Sequence, residues 1–205
     1  MKTRAIATRL AALAFALLAA APAAAQTVRV GIVNTYSGPA ASFGEMNDRA
    51  MRLYMKLHEK DLPQGIKIEL IQRDDGGPNA DKARQLAQEL IVRDKVHLLA
   101  GVAFTPNALA IAPLTVEAKM PLIITNAGTS LVTTRSPYIA RLSFTLWQAC
   151  VPLGQWAAKG FKRAYTLVSD YGPGNDAEGA FTMGFTQGGG QIGRASCRER
   201  VYLCV

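Results

Sequence analysis

Polar side chains with hydroxyl or amide groups follow four of the apolar runs in this 205-residue chain. They lie at Ser37, Thr105, residues 126–130 and Tyr171. In an open α/β sheet, ligands bind beyond the carboxyl ends of the strands, so loops at these positions would meet at one edge. Hydroxyls, an amide and backbone N–H groups, with no cationic side chain among them, suit a small carboxylate. For any one of these residues alone, a helix cap or a turn bond is an equally good interpretation.

The segment 101–108 shows this arrangement most clearly. It follows the apolar run at residues 96–100 and opens a helical segment. Thr105 is predicted to be the N-cap of that helix and Pro106 its first residue. Such a helix start presents N–H groups and a hydroxyl together, and it attracts anions.

Motifs for catalysis, metals and nucleotides are absent or stand in the wrong context. Residues 188–193 match G-x-G-x-x-G but follow a helix instead of a strand, so we reject a dinucleotide site. Asp74 and Asp75 precede Gly-Gly-Pro without a His or Glu at metal-ligand spacing, which predicts a turn with solvated acids. His58 and His97 have no nucleophile or acid at motif spacing, and neither a G-x-S-x-G elbow nor a P-loop occurs. The sequence therefore predicts no catalytic residue, no metal and no cofactor.

Strands and helices are predicted to alternate along the chain, from apolar runs and helical spacing of apolar residues. Strands are predicted at residues 27–34, 66–72, 96–100, 122–125 and 138–142, and helices at residues 45–60, 83–93 and from residue 106. This alternation predicts an α/β fold, a Rossmann-like parallel sheet lobe over residues 26–142 with helices on both faces. Pro113 is expected to kink or divide the third helix.

A second, similar lobe is predicted to begin at residue 143 and to be incomplete at residue 191. Its elements would be a helix at residues 146–158, a strand at 163–169 and a helix at 176–187. Asn175 and Glu178 resemble a capping box for the last helix. A hinge at residues 141–145 would join the two lobes.

The two ends of the chain differ in composition from the rest. Residues 1–25 have a basic start, an apolar core and an Ala-x-Ala site before Gln26, which predicts a secretory signal peptide and an exported, soluble protein. A membrane anchor, the alternative, needs ~20 apolar residues. Residues 192–205 resemble the translation of a sequencing-adapter read, so we expect a non-native tail and a natural reading frame lost near Gln191. A basic tail for an acidic partner is the other interpretation.

Charge and cysteine content narrow the functional class. The net charge of +8 falls to +3 for residues 26–191 when the signal segment and the tail are left out. That interval lacks the basic clusters of a nucleic-acid-binding surface. Cys150 is its one cysteine, and its position in an apolar helical stretch predicts a buried structural residue instead of a nucleophile.

Together these features resemble the substrate-binding proteins of branched-chain amino acid ABC importers, the type I periplasmic binding proteins. The resemblance spans residues 28–190 and rests on the order and spacing of short motifs. They are Val30-Gly-Ile, the segment from Ser37-Gly-Pro to Phe43-Gly, Asp74-Asp75, Gly101 with Thr105, residues 121–127 and Asp170-Tyr-Gly. The resemblance implies two Rossmann-like lobes that close on a ligand held between them.

The resemblance also implies a site and partners. The implied site residues are Phe43, Phe104, Thr105, Asn126, Ala127, Thr129 and Tyr171. The loops of Thr105, Ala127 and Thr129 would hold the ligand carboxylate, and the aromatic residues would contact the rest of the ligand. The implied protein is a monomeric, periplasmic solute-binding subunit that docks on an ABC permease, with no enzymatic activity and no nucleic-acid partner.

The ligand class stays open among a branched-chain amino acid, an aromatic acid and an amide-like solute. Amino-acid-binding members often have a disulfide where this chain has Gly77 and Phe104. Phe43 and Phe104 predict an apolar, aromatic-lined cleft. A ligand-sensing domain of a receptor or regulator has the same fold and is the alternative function. An exported α/β hydrolase is a third, disfavoured because no nucleophile and base are recognisable.

Overall fold

The computed structural model describes residues 26–193. A five-stranded parallel sheet, in the order β2-β1-β3-β4-β5, organises the first unit. Its strands are β1 (Gln26–Asn34), β2 (Ile66–Asp74), β3 (Leu98–Gly101), β4 (Leu122–Ile124) and β5 (Ile139–Arg141). Its helices are α1 (Ala41–Leu57), α2 (Ala80–Val92) and α3 (Thr105–Glu117). The predicted α/β class and parallel sheet are confirmed.

The core of this unit lies on both sides of β1, which pairs with β2 and β3. Ile32 and Val33 are both buried. Successive side chains of a strand point to opposite faces, so the sheet is covered on both faces. Leu90 of α2 and Ile111 of α3 are fully buried in the same cluster as Val33.

The second unit begins with α4 (Leu146–Gly160) and continues through β6 (Arg163–Ala164), α5 (Gly172–Gln187) and β7 (Gln191–Ile192). β6 and β7 pair in parallel. Cys150 is 7% exposed and packs between α4 and α5, which confirms that it is buried. The strand predicted at residues 163–169 is limited to Arg163–Ala164.

Two local predictions about helix starts are wrong, and one of the two outcomes expected at Pro113 does not occur. Phe104 is the N-cap of α3, and Thr105 is its first residue. α3 is not divided at Pro113 but continues to Glu117. α5 begins at Gly172 with Tyr171 as N-cap, and the Glu178 carboxylate accepts a hydrogen bond from the Thr166 hydroxyl. The side chains expected to cap these helices bond elsewhere: the Thr105 hydroxyl donates to Thr129, and Glu178 accepts from Thr166.

A capping box that the sequence reasoning missed opens α4. The Thr145 side chain accepts from Gln148 N–H, and the Gln148 side chain accepts from Thr145 N–H. The N-cap, Thr145, is the last of the predicted hinge residues. It therefore defines where the chain leaves the first unit and begins the helix of the second.

Apolar side chains of α1 face solvent. Met46, Leu53, Tyr54 and Leu57 are between 58% and 70% exposed. Among residues 26–193, no helix combines the length and the apolar character that crossing a membrane requires. The predicted signal peptide and the tail beyond Gly193 lie outside the described residues.

Candidate ligand-binding site

A cleft of about 290 Å³ lies at the carboxyl ends of β3 and β4, where the two units meet. Its lining residues come from the first unit, the connecting segment and the starts of α4 and α5. They are Phe43, Ala103, Phe104, Thr105, Asn126, Gly128, Ser143, Phe144, Leu146, Tyr171 and Pro173. A larger cavity of about 560 Å³ lies along α3, near Pro113 and Arg135. We favour the smaller one because it lies at the strand ends, where sheets of this class bind ligands.

Five of the seven site residues expected from the sequence line this cleft. They are Phe43, Phe104, Thr105, Asn126 and Tyr171. The other two, Ala127 and Thr129, are buried directly behind it, at 1% and 4% exposure. Lining residues that the sequence reasoning did not single out include Ser143 and Phe144. The sequence feature that could have pointed to Ser143 and Phe144 was their position in the predicted hinge.

Two threonine hydroxyls meet at the boundary of the cleft, one from the lining residue Thr105 and one from Thr129 behind it. Thr105 Oγ1 donates to Thr129 Oγ1 over 3.1 Å, and Thr105 is 2% exposed. A Cβ built on Gly172 would lie 2.9 Å from Thr129 Oγ1, so the first turn of α5 rests on this pair. The helix starts of α3 and α5 thus both approach the threonine pair, and helix N-termini favour negative charge.

The backbone behind the threonines is held in an unusual conformation. Val102 has a φ of 65°, which is strained for a β-branched residue. Its N–H donates to the Val33 carbonyl over 2.8 Å, and its carbonyl accepts from Ala127 N–H over 3.2 Å. Ala127 N–H is therefore engaged within the protein and is not free to bind a ligand carboxylate.

Aromatic rings form the opposite wall. Phe43 and Phe104 meet edge to face, with ring centroids 6.1 Å apart and an interplanar angle of 76°. Tyr171 and Phe144 complete the lining and are 38% and 64% exposed. Asn126 donates from Nδ2 to the Ala103 carbonyl over 3.0 Å, which fixes the loop after β4 against the loop after β3. The cleft combines a polar inner end with an apolar, aromatic body.

The prediction of solvated acids after β2 is wrong for Asp75, which is 1% exposed. Its Oδ1 accepts from Thr35 Oγ1 over 2.6 Å and from Gly77 N–H over 3.0 Å. Its Oδ2 accepts from Asn107 Nδ2 over 2.7 Å. Asn107 also donates to the Gly77 carbonyl over 2.9 Å. These bonds tie the loop after β2 to the first turn of α3, close to where amino-acid-binding members have a disulfide.

Asp74 holds the loop after β1. Burial by itself would raise the pKa of Asp74, but hydrogen bonds from the Ser37 side chain and from Tyr36 and Gly76 N–H, with Lys82 nearby, lower its pKa overall. Burial, assisted by the charge of Asp48, raises the pKa of Tyr36 to about 12. Tyr36 is therefore a neutral phenol at physiological pH.

Neutral donors, not metal ligands or a catalytic pair, characterise this site. Across residues 26–193, no three His, Cys, Asp or Glu side chains are grouped so that they could hold a metal ion. Hydroxyl and N–H groups can hold an anion without any change in covalent bonding. The arrangement is suited to reversible binding.

A family model described as a periplasmic binding protein matches residues 27–196. The chain belongs to this family. The match includes the first residues of the predicted tail. It confirms the resemblance and the fold class expected from the sequence, those of the type I periplasmic binding proteins.

Relatives of this periplasmic binding protein support the assignment. The chain is 42% identical over 186 residues to the Leu/Ile/Val-binding protein homolog 6 of Brucella abortus, which covers 89% of this chain and 47% of that protein. A solute-binding protein of an ABC transporter from Rhodopseudomonas palustris BisB5, in complex with 3,4-dihydroxybenzoic acid, is 51% identical with a TM-score of 0.77. The likeness covers 81% of this chain and 46% of that one.

A second Rhodopseudomonas palustris solute-binding protein, in complex with 4-hydroxybenzoate, is 45% identical with a TM-score of 0.78. The likeness covers 82% of this chain and 45% of that protein's chain. The chain thus spans about half the length of the relatives that it matches.

Proposed function

We propose that the full-length protein is the solute-binding subunit of an ABC importer and that its solute is a small aromatic carboxylate. The observation that carries this proposal is the pairing of two buried threonine hydroxyls with an aromatic wall in one cleft. The ligands of the two Rhodopseudomonas relatives, 3,4-dihydroxybenzoic acid and 4-hydroxybenzoate, support it. A branched-chain amino acid and an amide-like solute were the other ligands left open by the sequence.

The carboxylate would lie at the threonine end of the cleft. Thr105 donates its proton to Thr129, which leaves the Thr129 proton for the carboxylate, and the first turns of α3 and α5 add the positive ends of two helix dipoles. Hydrogen bonds to a charged group contribute about 1.5 to 3 kcal/mol each. A carboxylate is therefore favoured over a neutral group of the same shape.

The ring of the solute would contact Phe43, Phe104 and Tyr171. Aromatic pairs in edge-to-face or offset geometry contribute about 0.5 to 1.5 kcal/mol beyond the area that they bury. A leucine side chain would bury apolar surface here but would not gain the additional free energy of aromatic pairing. The α-amino group of an amino acid would also need an acceptor, and none of the residues found to line the cleft has a carboxylate side chain.

Transport would depend on lobe closure. A ligand that contacts both lobes stabilises the closed form over the open form, which is a population shift driven by differential affinity. The closed form would then dock on the membrane permease. Membership of the periplasmic binding protein family supports an extracytoplasmic location for this step.

A ligand screen on the full-length protein tests this proposal. Thermal unfolding would be followed with 4-hydroxybenzoate, 3,4-dihydroxybenzoate, benzoate, leucine and the neutral analogue benzamide. We expect the carboxylates of the aromatic series to raise the Tm, because a ligand at 100 times its Kd stabilises by about 2.7 kcal/mol. Benzamide tests the need for a carboxylate. A Tm shift with leucine and none with the benzoates would refute the aromatic assignment.

A further inference from the structure

The peptide that links Thr129 to Ser130 is held by both structural units. Asp176 on α5 accepts two hydrogen bonds through its Oδ2 atom, from Ser130 N–H over 2.7 Å and from Ser130 Oγ over 2.9 Å. From the other side, Arg141 Nη2 donates to the Thr129 carbonyl over 2.6 Å. Asp176 belongs to the second unit. Ser130 belongs to the first unit, and so does Arg141, which is the last residue of β5.

The positive charge of Arg141 is only partly offset by its hydrogen bond to the Thr129 carbonyl. Its Nε and Nη1 atoms are buried and have no hydrogen-bond partner within residues 26–193. Burial lowers the pKa of Arg141, and the charge of Asp176 acts in the opposite direction. A buried charge costs free energy unless an opposite charge or hydrogen bonds offset it. Asp176 therefore stabilises Arg141 only when α5 lies against the first unit.

The same approach of α5 places Gly172 on the threonine pair. A Cβ at Gly172 would lie 2.9 Å from Thr129 Oγ1 and 3.4 Å from Thr105 Cγ2. Contact between Asp176 and Ser130 and contact between Gly172 and Thr129 are therefore made together. Both are lost if the second unit swings away.

We propose that Asp176 is a positioning residue that couples lobe closure to the carboxylate-binding loop. Its carboxylate fixes the Ser130 end of the loop while Arg141 fixes the Thr129 carbonyl, so the Thr129 hydroxyl is held in place only in the closed form. This inference rests on the proposed function, in which Thr129 contacts the solute. Asp176 would thus help to retain the ligand although Asp176 itself does not contact the ligand.

The first test compares variants of the full-length protein with 4-hydroxybenzoate as the probe. Asp176→Ala is expected to weaken binding about tenfold, since loss of hydrogen bonds to a charged group of about 1.5 kcal/mol corresponds to that factor. The loss is expected in a faster dissociation rate with an unchanged association rate, because the contact forms after the ligand has entered an open cleft. Stopped-flow fluorescence measures both rates.

Two further variants separate positioning from general stability. Asp176→Asn keeps an oxygen acceptor for Ser130, so it is expected to lose less affinity, and it carries the test if the alanine variant fails to fold. Glu178→Ala removes an acid from the same helix whose partner, Thr166, lies in the same unit. This control is expected to lower the Tm without changing the dissociation rate. Equal dissociation rates in the wild type and both Asp176 variants, or an equal increase in the Glu178 variant, would overturn the proposal.

A cross-link tests the contact without any ligand. The Ser130→Cys/Asp176→Cys double variant is expected to form a disulfide under mild oxidation, and the Ser130→Cys/Glu178→Cys pair is not. Peptide mass spectrometry reads out both. Failure of the first pair to cross-link would overturn the proposal. If the first pair cross-links and the wild type binds none of the benzoates, the aromatic-carboxylate assignment fails while the contact between the lobes stands.

Discussion

At the scale of single residues, the cleft depends on polar side chains whose hydrogen bonds are made inside the protein. Thr105 has 2% exposure and Asp75 has 1%. Buried polar groups cost about 1 to 3 kcal/mol each when a partner is removed. Substitutions at these positions therefore have different effects, depending on whether the partner is the solute or another part of the chain.

A substitution at Thr105 is expected to change mainly the affinity for the ligand. Thr105→Ala removes a hydroxyl near the proposed carboxylate and is expected to weaken 4-hydroxybenzoate binding by about 1.5 to 3 kcal/mol. Titration calorimetry on the full-length protein measures this. Thr115→Ala is the matched control, because the Thr115 hydroxyl lies in the same helix but bonds Ala112 and Ser136. Unchanged affinity for the Thr105 variant would remove that residue from the site.

Asp75 is expected to act mainly on stability. Asp75→Ala leaves the donors of Thr35, Gly77 and Asn107 without their acceptor, and we expect a loss of about 3 kcal/mol in the free energy of unfolding. Urea unfolding measures it, with Glu117→Ala as an exposed control on α3. A loss no larger than that of the control would contradict the role assigned to the Asp75 network.

Asp74 is expected to make stability fall in acid. Its pKa is lowered in the folded protein, so its contribution is present above the ordinary pKa of 3.8 and is lost as the pH falls below it. The Tm of the wild type is expected to drop more between pH 5 and pH 3 than that of Asp74→Asn. Glu117→Gln serves as the exposed control. Parallel Tm curves for the wild type and Asp74→Asn would show that this prediction is wrong.

At the scale of elements, two glycines let α4 and α5 approach closely. A Cβ at Gly184 would lie 2.1 Å from the Val151 carbonyl oxygen, and one at Gly154 would lie 2.4 Å from the Phe181 carbonyl oxygen. Neither backbone oxygen can move without shifting a helix. The close packing of these helices also sets the position of α5, and with it the position of Gly172 and Asp176.

Two substitutions in α5 separate helix propensity from packing. Alanine improves on glycine by about 1 kcal/mol in a helix interior. At Gly184 the clash is expected to outweigh this gain, with a net loss of about 1 to 3 kcal/mol in urea unfolding. At Gly179 a Cβ would meet only the Trp147 ring at 3.6 Å, so Gly179→Ala is expected to stabilise. Stabilisation by Gly184→Ala would contradict the observed packing.

At the scale of the whole molecule, α1 carries an apolar stripe that the described residues leave exposed. Met46, Leu53 and Leu57 follow helical spacing and are 70%, 58% and 70% exposed. Contiguous apolar surface of this kind promotes association. None of these three residues is among those that line the cleft.

Residues 26–193 produced alone are expected to self-associate through this stripe. Sedimentation velocity at several concentrations measures the association, and Leu53→Glu with Leu57→Glu is expected to reduce it. Val92→Glu, at an exposed apolar residue of α2, is the control. A monomer at every concentration, with a cooperative unfolding transition, would contradict this prediction. The full-length protein is expected to be monomeric.

The sequence by itself determined the order of elements, the family and five of the residues that line the cleft. Strand alternation and helical spacing are local patterns, and the rule that ligands lie at strand ends needs only the order of strands. For that reason Thr105 was expected at the cleft, whereas Phe43 and Phe104 were implied by the family resemblance; all three line it. Residues such as Ser143 were not expected there, because a hinge has no periodic pattern.

Only the tertiary structure decided which polar groups are buried and which residues cap the helices. The local sequence around Asp75 predicts a solvated turn residue. Its buried partner Asn107, however, lies 32 residues further along the chain, in α3. Asn175 and Glu178 match a capping pattern, but the approach of α5 to Thr129 starts that helix at Gly172 instead. The Ser130–Asp176 contact joins residues 46 apart. Such contacts depend on how the packed elements meet in space, which local patterns do not specify.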